Sequence, residues 1–118
     1  MSGIVFFTSE RVDDVVSFYR SAVDAEIWLE QPGCTIVRSD EFRFGFCEGE
    51  AADTDGILTF LAPDRAGVEE YYDRLEGVAT GPPTENETYD IYQFFARDPE
   101  GRTVEVQTFL HETPPLGG

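Results

Sequence analysis

Lysine is absent from this chain, and its eight basic residues are all arginines. Schiff-base chemistry is therefore excluded. Histidine occurs once, as His111 just past the last apolar segment, where it reads as a solvated tail residue. Neither a histidine-rich metal site nor a nucleophile with a histidine base can be assembled, and Ser17, in a helical stretch, has no such base in reach. Gly45 and Gly49 do not form a phosphate-binding fingerprint. Cysteine occurs twice, as Cys34 and Cys47, a spacing that fits neither a metal site nor a secreted disulfide framework. Two small buried thiols are expected, although they would face each other if Ser39 to Phe42 is the turn of a hairpin. The longest apolar run, Gly3 to Thr8, is far shorter than the roughly 20 residues that cross a bilayer, and no basic region with a cleavage site precedes it. A soluble cytoplasmic protein is expected.

Positive charge is scarce as well. Aspartate and glutamate number 24 against those eight arginines, a formal charge of -16. The acidic residues run along the whole chain rather than forming a disordered tail. Such a surface repels nucleic acid and anionic membranes, and at low salt it works against the compact state. Screening in concentrated salt removes that penalty. The pattern resembles the proteome-wide habit of halophilic archaea.

What is present is a domain-sized chain of 118 residues that is 41% hydrophobic and 14% aromatic, enough to build a core without a staple. Ile4 to Thr8 reads as a strand. Arg11 to Val23 then places Val12, Val15, Val16, Tyr19 and Val23 at helical spacing, with Ser9 as the candidate N-cap. Strands follow at about Ala25 to Glu30, Cys34 to Arg38 and Phe42 to Glu48, the last alternating strictly with Phe42, Phe44 and Phe46 on one side. After the acidic linker Gly49 to Asp55 the order repeats. Ile57 to Leu61 is a strand, and Asp64 to Leu75 is a helix capped by Asp64 with a stripe of Val68, Tyr71, Tyr72 and Leu75. A short strand is expected near Val78 to Thr80, a polar loop at Gly81 to Thr88, and a loose tail at residues 112–118.

The hairpin of Tyr89 to Arg97 with Arg102 to Phe109 closes through Asp98-Pro99-Glu100-Gly101, the residue order of a type I turn. Counting outward from a four-residue turn sets Phe94 opposite Glu105 and Tyr92 opposite Gln107, all on one face. The result is an α+β chain of two tandem βαβββ modules, about residues 3–50 and 56–111, within a single domain. Neither module covers both faces of its sheet alone, so the expectation is a curved, half-open barrel with a ligand cleft on its inner face.

This order, with Phe18-Tyr19-Arg20 late in the first helix and Asp98-Pro99-Glu100-Gly101 before a final strand carrying Glu105, resembles the vicinal oxygen chelate superfamily. That group includes glyoxalase I, extradiol dioxygenases and the bleomycin and fosfomycin resistance proteins. The resemblance implies a cleft in which glyoxalase and dioxygenase members hold one divalent metal through His and Glu of the first, fourth, fifth and eighth strands. Here the eighth-strand position matches Glu105, while the others fall on Ile4, on or near Phe44, and on Ile57 or Leu58. One carboxylate does not hold a catalytic transition metal, which takes about three protein donors.

The expected function is accordingly metal-free binding of a small, partly aromatic molecule, as the resemblance to the bleomycin resistance proteins implies. Glu105, Gln107, Tyr92, Phe94, Phe44, Phe46, Phe6 and Thr8 form the candidate ligand-binding set, with Thr59 at the rim and Glu105 as the one candidate for catalysis. No cofactor is expected. The alternatives are a metal-dependent lyase, isomerase or dioxygenase with one divalent ion, and a dimeric scaffold without a ligand. Homodimerisation is expected in each case, because module edges need cover.

Overall fold

The structure, a computed structural model, describes residues 1–115. The chain divides into two compact units, Met1–Asp55 with Pro99–Gly101, and Gly56–Asp98 with the chain from Arg102 onward. Each unit is a βαβββ module with one four-stranded mixed sheet and one helix, so the chain is α+β.

In the first unit β1 (Val5–Ser9) leads into α1 (Val12–Ala22), followed by β2 (Glu26–Gln31), β3 (Cys34–Ser39) and β4 (Phe42–Glu48). The strand order is β1-β4-β3-β2, with β1 parallel to β4 and the other pairs antiparallel. A parallel pair cannot be joined by a tight turn, and α1 supplies the crossover. Its buried stripe is Val15, Val16, Tyr19 and Ala22. Tyr19 packs on the same side of β4 as Phe44 and Phe46, its ring 5.1 Å and 5.5 Å from theirs. Truncating a buried Phe of this kind costs about 3–5 kcal/mol. Ser9 is not the N-cap expected of it. Arg11 holds that position without a side-chain cap. The Ser9 hydroxyl instead accepts from the Arg11 N–H at 3.1 Å and donates to Glu100 Oε1 at 2.6 Å. Asp13 and Asp14 in the first turn favour the positive end of the helix.

Cys34 and Cys47 stand directly opposite each other on β3 and β4 and are joined by a disulfide, so the expectation of two thiols does not hold. The Glu48 N–H donates to the Gly33 carbonyl at 2.8 Å, which makes the neighbouring Cys34 and Cys47 a non-hydrogen-bonded pair. Side chains approach closest at such pairs, and here the Cα atoms are 4.1 Å apart.

In the second unit β5 (Ile57–Leu61) and α2 (Arg65–Leu75) precede a 3₁₀ turn at Glu76–Val78, then β6 (Thr84–Asn86), β7 (Ile91–Arg97) and β8 (Thr103–Phe109), in the order β5-β8-β7-β6. Asp64 caps α2, its carboxylate accepting from Gly67 N–H at 2.7 Å, worth about 1 kcal/mol. The strand expected near Val78 to Thr80 is reduced to one bridge between Ala79 and Ala96, and the short strand lies later, inside the expected loop. Pro82 and Pro83 carry no N–H for a ladder, so pairing begins only at Thr84, opposite Gln93. The expected loose tail at 112–118 runs past the described residues after residue 115.

The hairpin register differs from expectation by one residue. Asp98 N–H donates to the Arg102 carbonyl at 3.1 Å, so the loop is Pro99–Gly101, and Arg97 pairs with Thr103. Gly101, at φ 86°, is the left-handed residue that follows a type I turn in three-residue hairpin loops. Beneath it the Asp98 carboxylate accepts from Arg102 N–H at 3.0 Å and from its guanidinium at 3.2 Å, with both side chains fully buried.

Candidate functional site

A shift of one residue exchanges the two faces of a strand. Phe95, not Phe94, stands opposite Glu105, and Gln93, not Tyr92, stands opposite Gln107. Phe94 turns toward α2, its ring 5.3 Å from that of Tyr72. The Arg65 guanidinium, ion-paired with Glu85, covers the Tyr92 ring at 4.8 Å. Glu105 and Gln107 share the opposite face with Gln93 and Thr59.

These four side chains form one hydrogen-bonded group. Thr59, beside Glu105 on the parallel neighbour β5, donates its hydroxyl to Glu105 Oε1 at 2.8 Å. Gln107, two residues along β8 on the same face, donates Nε2 to Oε1 at 3.3 Å. Gln93, the diagonal cross-strand neighbour, donates Nε2 to Oε2 at 3.0 Å. Glu105 and Gln93 are each 7% exposed. A carboxylate only accepts, so both glutamines present their amide nitrogens to it, and the Oε1 atoms of Gln93 and Gln107 are buried without a hydrogen-bond partner.

Glu105, Gln93 and Gln107 form part of the wall of a recess of about 400 Å³ whose remaining lining is largely apolar or aromatic, including Ile57, Tyr89, Ile91, Phe95 and Phe109. No Arg or His is among its lining residues. Tyr89 is placed by Asn86, whose side-chain carbonyl accepts from the Thr88 and Tyr89 N–H groups at 3.1 and 3.3 Å.

The rest of the expected set lies in the first unit and on two sides of its sheet. Phe44 and Phe46 are wholly buried against α1. Phe6 stands on the other side, with its ring where a Cβ on Gly45 would sit, 2.8 Å away. Thr8 is beside Cys47 in the register. Gln93, Phe95 and Tyr89 were not anticipated. The signal that could have found the first two is Gly101, since a glycine directly after a type I turn adds a loop residue and turns Gln93 and Phe95 toward Glu105.

Among the described residues no three His, Cys, Asp or Glu side chains come together as a metal-binding group. Glu105 is a single carboxylate held by neutral donors, and the matched positions Ile4, Phe44, Ile57 and Leu58 are apolar. These residues do not by themselves make up the donor set of a transition metal.

No protein-family model matches the chain, and no curated protein matches it. Solved structures do. A glyoxalase/bleomycin resistance protein/dioxygenase family enzyme from Burkholderia phytofirmans superposes with a TM-score of 0.80 at 15% identity, over 91% of this chain and 97% of that one. The fold is that of the glyoxalase/bleomycin resistance/dioxygenase proteins. Lactoylglutathione lyase from Agrobacterium tumefaciens shares it with a TM-score of 0.74 at 20% identity, covering 92% of each chain. The fosfomycin resistance protein from Mesorhizobium loti gives 0.70 at 17% identity, over 92% of this chain and 90% of that one. At these identities the likeness shows the glyoxalase/bleomycin resistance fold alone.

Proposed function

We propose that this chain binds a small, partly aromatic organic molecule on the open face of its second sheet, in the recess around Glu105, without the metal site that the fold carries in its glyoxalase and dioxygenase members. The observation that carries this is the Glu105 group itself, a buried carboxylate in an aromatic-lined recess with two amide oxygens left without partners. Buried polar atoms are satisfied in the great majority of folded proteins, and a bound ligand is one way to satisfy these.

A metal-dependent lyase, isomerase or dioxygenase is the second reading, favoured by the position of Glu105 at the eighth strand and by the similarity to a lactoylglutathione lyase. That reading requires donors from elsewhere, such as a second copy of the chain. Elemental analysis separates the two. Protein incubated with manganese, nickel, zinc and ferrous iron, then dialysed, is expected to retain no stoichiometric metal, and about one metal per chain lost in Glu105→Gln would establish the second reading instead.

The proposal includes a homodimer, supported by the edge strand β2, which leaves Ile27, Trp28 and Leu29 at its centre 40–45% exposed. Among the described residues no helix is long and apolar enough to cross a membrane. We place the protein in the cytoplasm of an organism of concentrated salt, on the strength of its acidic, lysine-free composition.

A further inference from the structure

Among the described residues two carboxylates are buried, Asp98 and Glu105, and their surroundings differ. Asp98 is paired with the Arg102 guanidinium at 3.2 Å. Glu105 receives hydrogen bonds only from neutral groups, the hydroxyl of Thr59 and the amides of Gln93 and Gln107. Among the described residues no cation forms an ion pair with it. A buried charge without a counter-charge is costly, and hydrogen bonds from neutral donors offset only part of that cost.

Within the group, the buried polar atoms left without any partner are acceptors. One N–H of each amide is used on Glu105, and the carboxylate has beside it the two orphaned Oε1 atoms of Gln93 and Gln107. An anionic ligand would meet a carboxylate and two carbonyl dipoles with no cationic side chain in the lining, inside a chain of formal charge -16. A neutral acceptor group would fare little better. A cation with several N–H donors answers each feature together: it supplies the missing counter-charge, satisfies the amide oxygens, and is drawn in by the field of the whole chain. The aromatic walls of the recess, Phe95, Phe109 and Tyr89, suit a flat apolar body behind that head and also favour a cation near their faces.

We propose that the ligand of this site is an organic cation, an ammonium or amidinium head on a flat apolar body, with Glu105 as its counter-ion and the Gln93 and Gln107 side-chain oxygens as its hydrogen-bond acceptors. This rests on the reading of the Glu105 recess as a ligand site and specifies the chemical class it takes.

The test uses four probes of one shape, benzamidinium, benzylammonium, neutral benzamide and anionic benzoate, titrated into the full-length disulfide-bonded protein. Amide resonances of Gln93, Phe95, Glu105 and Gln107 are followed by NMR at moderate salt. The two cations are expected to shift these resonances and to bind at least about tenfold more tightly than benzamide, with benzoate silent. In Glu105→Gln, which keeps the shape of the side chain and removes its charge, the preference for cation over neutral probe is expected to collapse to within about threefold. If benzamide or benzoate binds this face as tightly as the cations, the cation assignment is overturned while the ligand-site reading stands. If no probe moves these resonances, the assignment is overturned, and if zinc or nickel moves them instead the metal-free reading falls with it.

Discussion

Gln93 and Gln107 face each other across β7 and β8, and their amide nitrogens converge on one carboxylate, Gln93 reaching Glu105 Oε2 at 3.0 Å and Gln107 reaching Oε1 at 3.3 Å. The arrangement fixes which end of each amide is spent and which is left over.

Replacing one of these donors by a like charge should therefore be far worse than removing it. Gln93→Met deletes one hydrogen bond to a buried carboxylate and is expected to cost about 1–2 kcal/mol in urea unfolding. Gln93→Glu sets a second carboxylate beside the first and is expected to cost at least about 3 kcal/mol at neutral pH. Equal costs for the two variants would mean that Gln93 does not donate to Glu105.

The Asp98 and Arg102 pair invites a second test. Both side chains are buried beneath the loop that sets the register of the Glu105 face. Removing one partner leaves the other charged and unpaired, so Arg102→Met alone should cost about 3–5 kcal/mol. The double variant Asp98→Asn, Arg102→Met should recover at least half of that, a coupling that a double-mutant cycle measures. Additive losses would show that the two side chains act independently.

Much of the fold could be read from residue order, because helical spacing in Val12 to Val23 and alternation in Phe42 to Phe46 each have one structural solution. The pairing of Cys34 with Cys47 was legible too, through the turn at Ser39 to Phe42, but the bond between them was not, since residue spacing carries no information on redox state. The site was harder. Its composition around Glu105 depends on the count across one loop, and the left-handed Gly101 adds the residue that exchanges Phe94 and Tyr92 for Phe95 and Gln93. Long-range partners such as Thr59 and Glu105 come from a parallel pairing for which local sequence holds no register signal.

The disulfide closes a loop with a sequence separation of 13 residues. Cross-linking a loop of about that length constrains the unfolded chain by roughly 3 kcal/mol. Reduction, or Cys34→Ser with Cys47→Ser, is expected to lower Tm by about 10 °C in a chain of this size. Alkylation of thiols during cell lysis, followed by mass spectrometry, reads the bond in its natural compartment. Fully alkylated Cys34 and Cys47 would mean that a reducing cytosol keeps the pair open.

Salt provides the remaining test, and here two effects compete. Raising ionic strength screens the ion pairs that help the fold, such as Arg65 with Glu85 and Arg74 with Glu70, and it also screens the mutual repulsion of the acidic surface. Exposed pairs are worth about 0–1 kcal/mol each, so their loss is small. Repulsion among 24 carboxylates opposed by eight guanidinium groups acts over the whole chain and falls steeply as the screening length drops from about 10 Å at 0.1 M to about 3 Å at 1 M. The second effect should win. Tm is expected to climb steadily from dilute buffer to multimolar potassium chloride, by more than the roughly 4 °C that 1 kcal/mol represents in a chain of this size. A flat or falling Tm would show that the acidic surface is not an adaptation to salt.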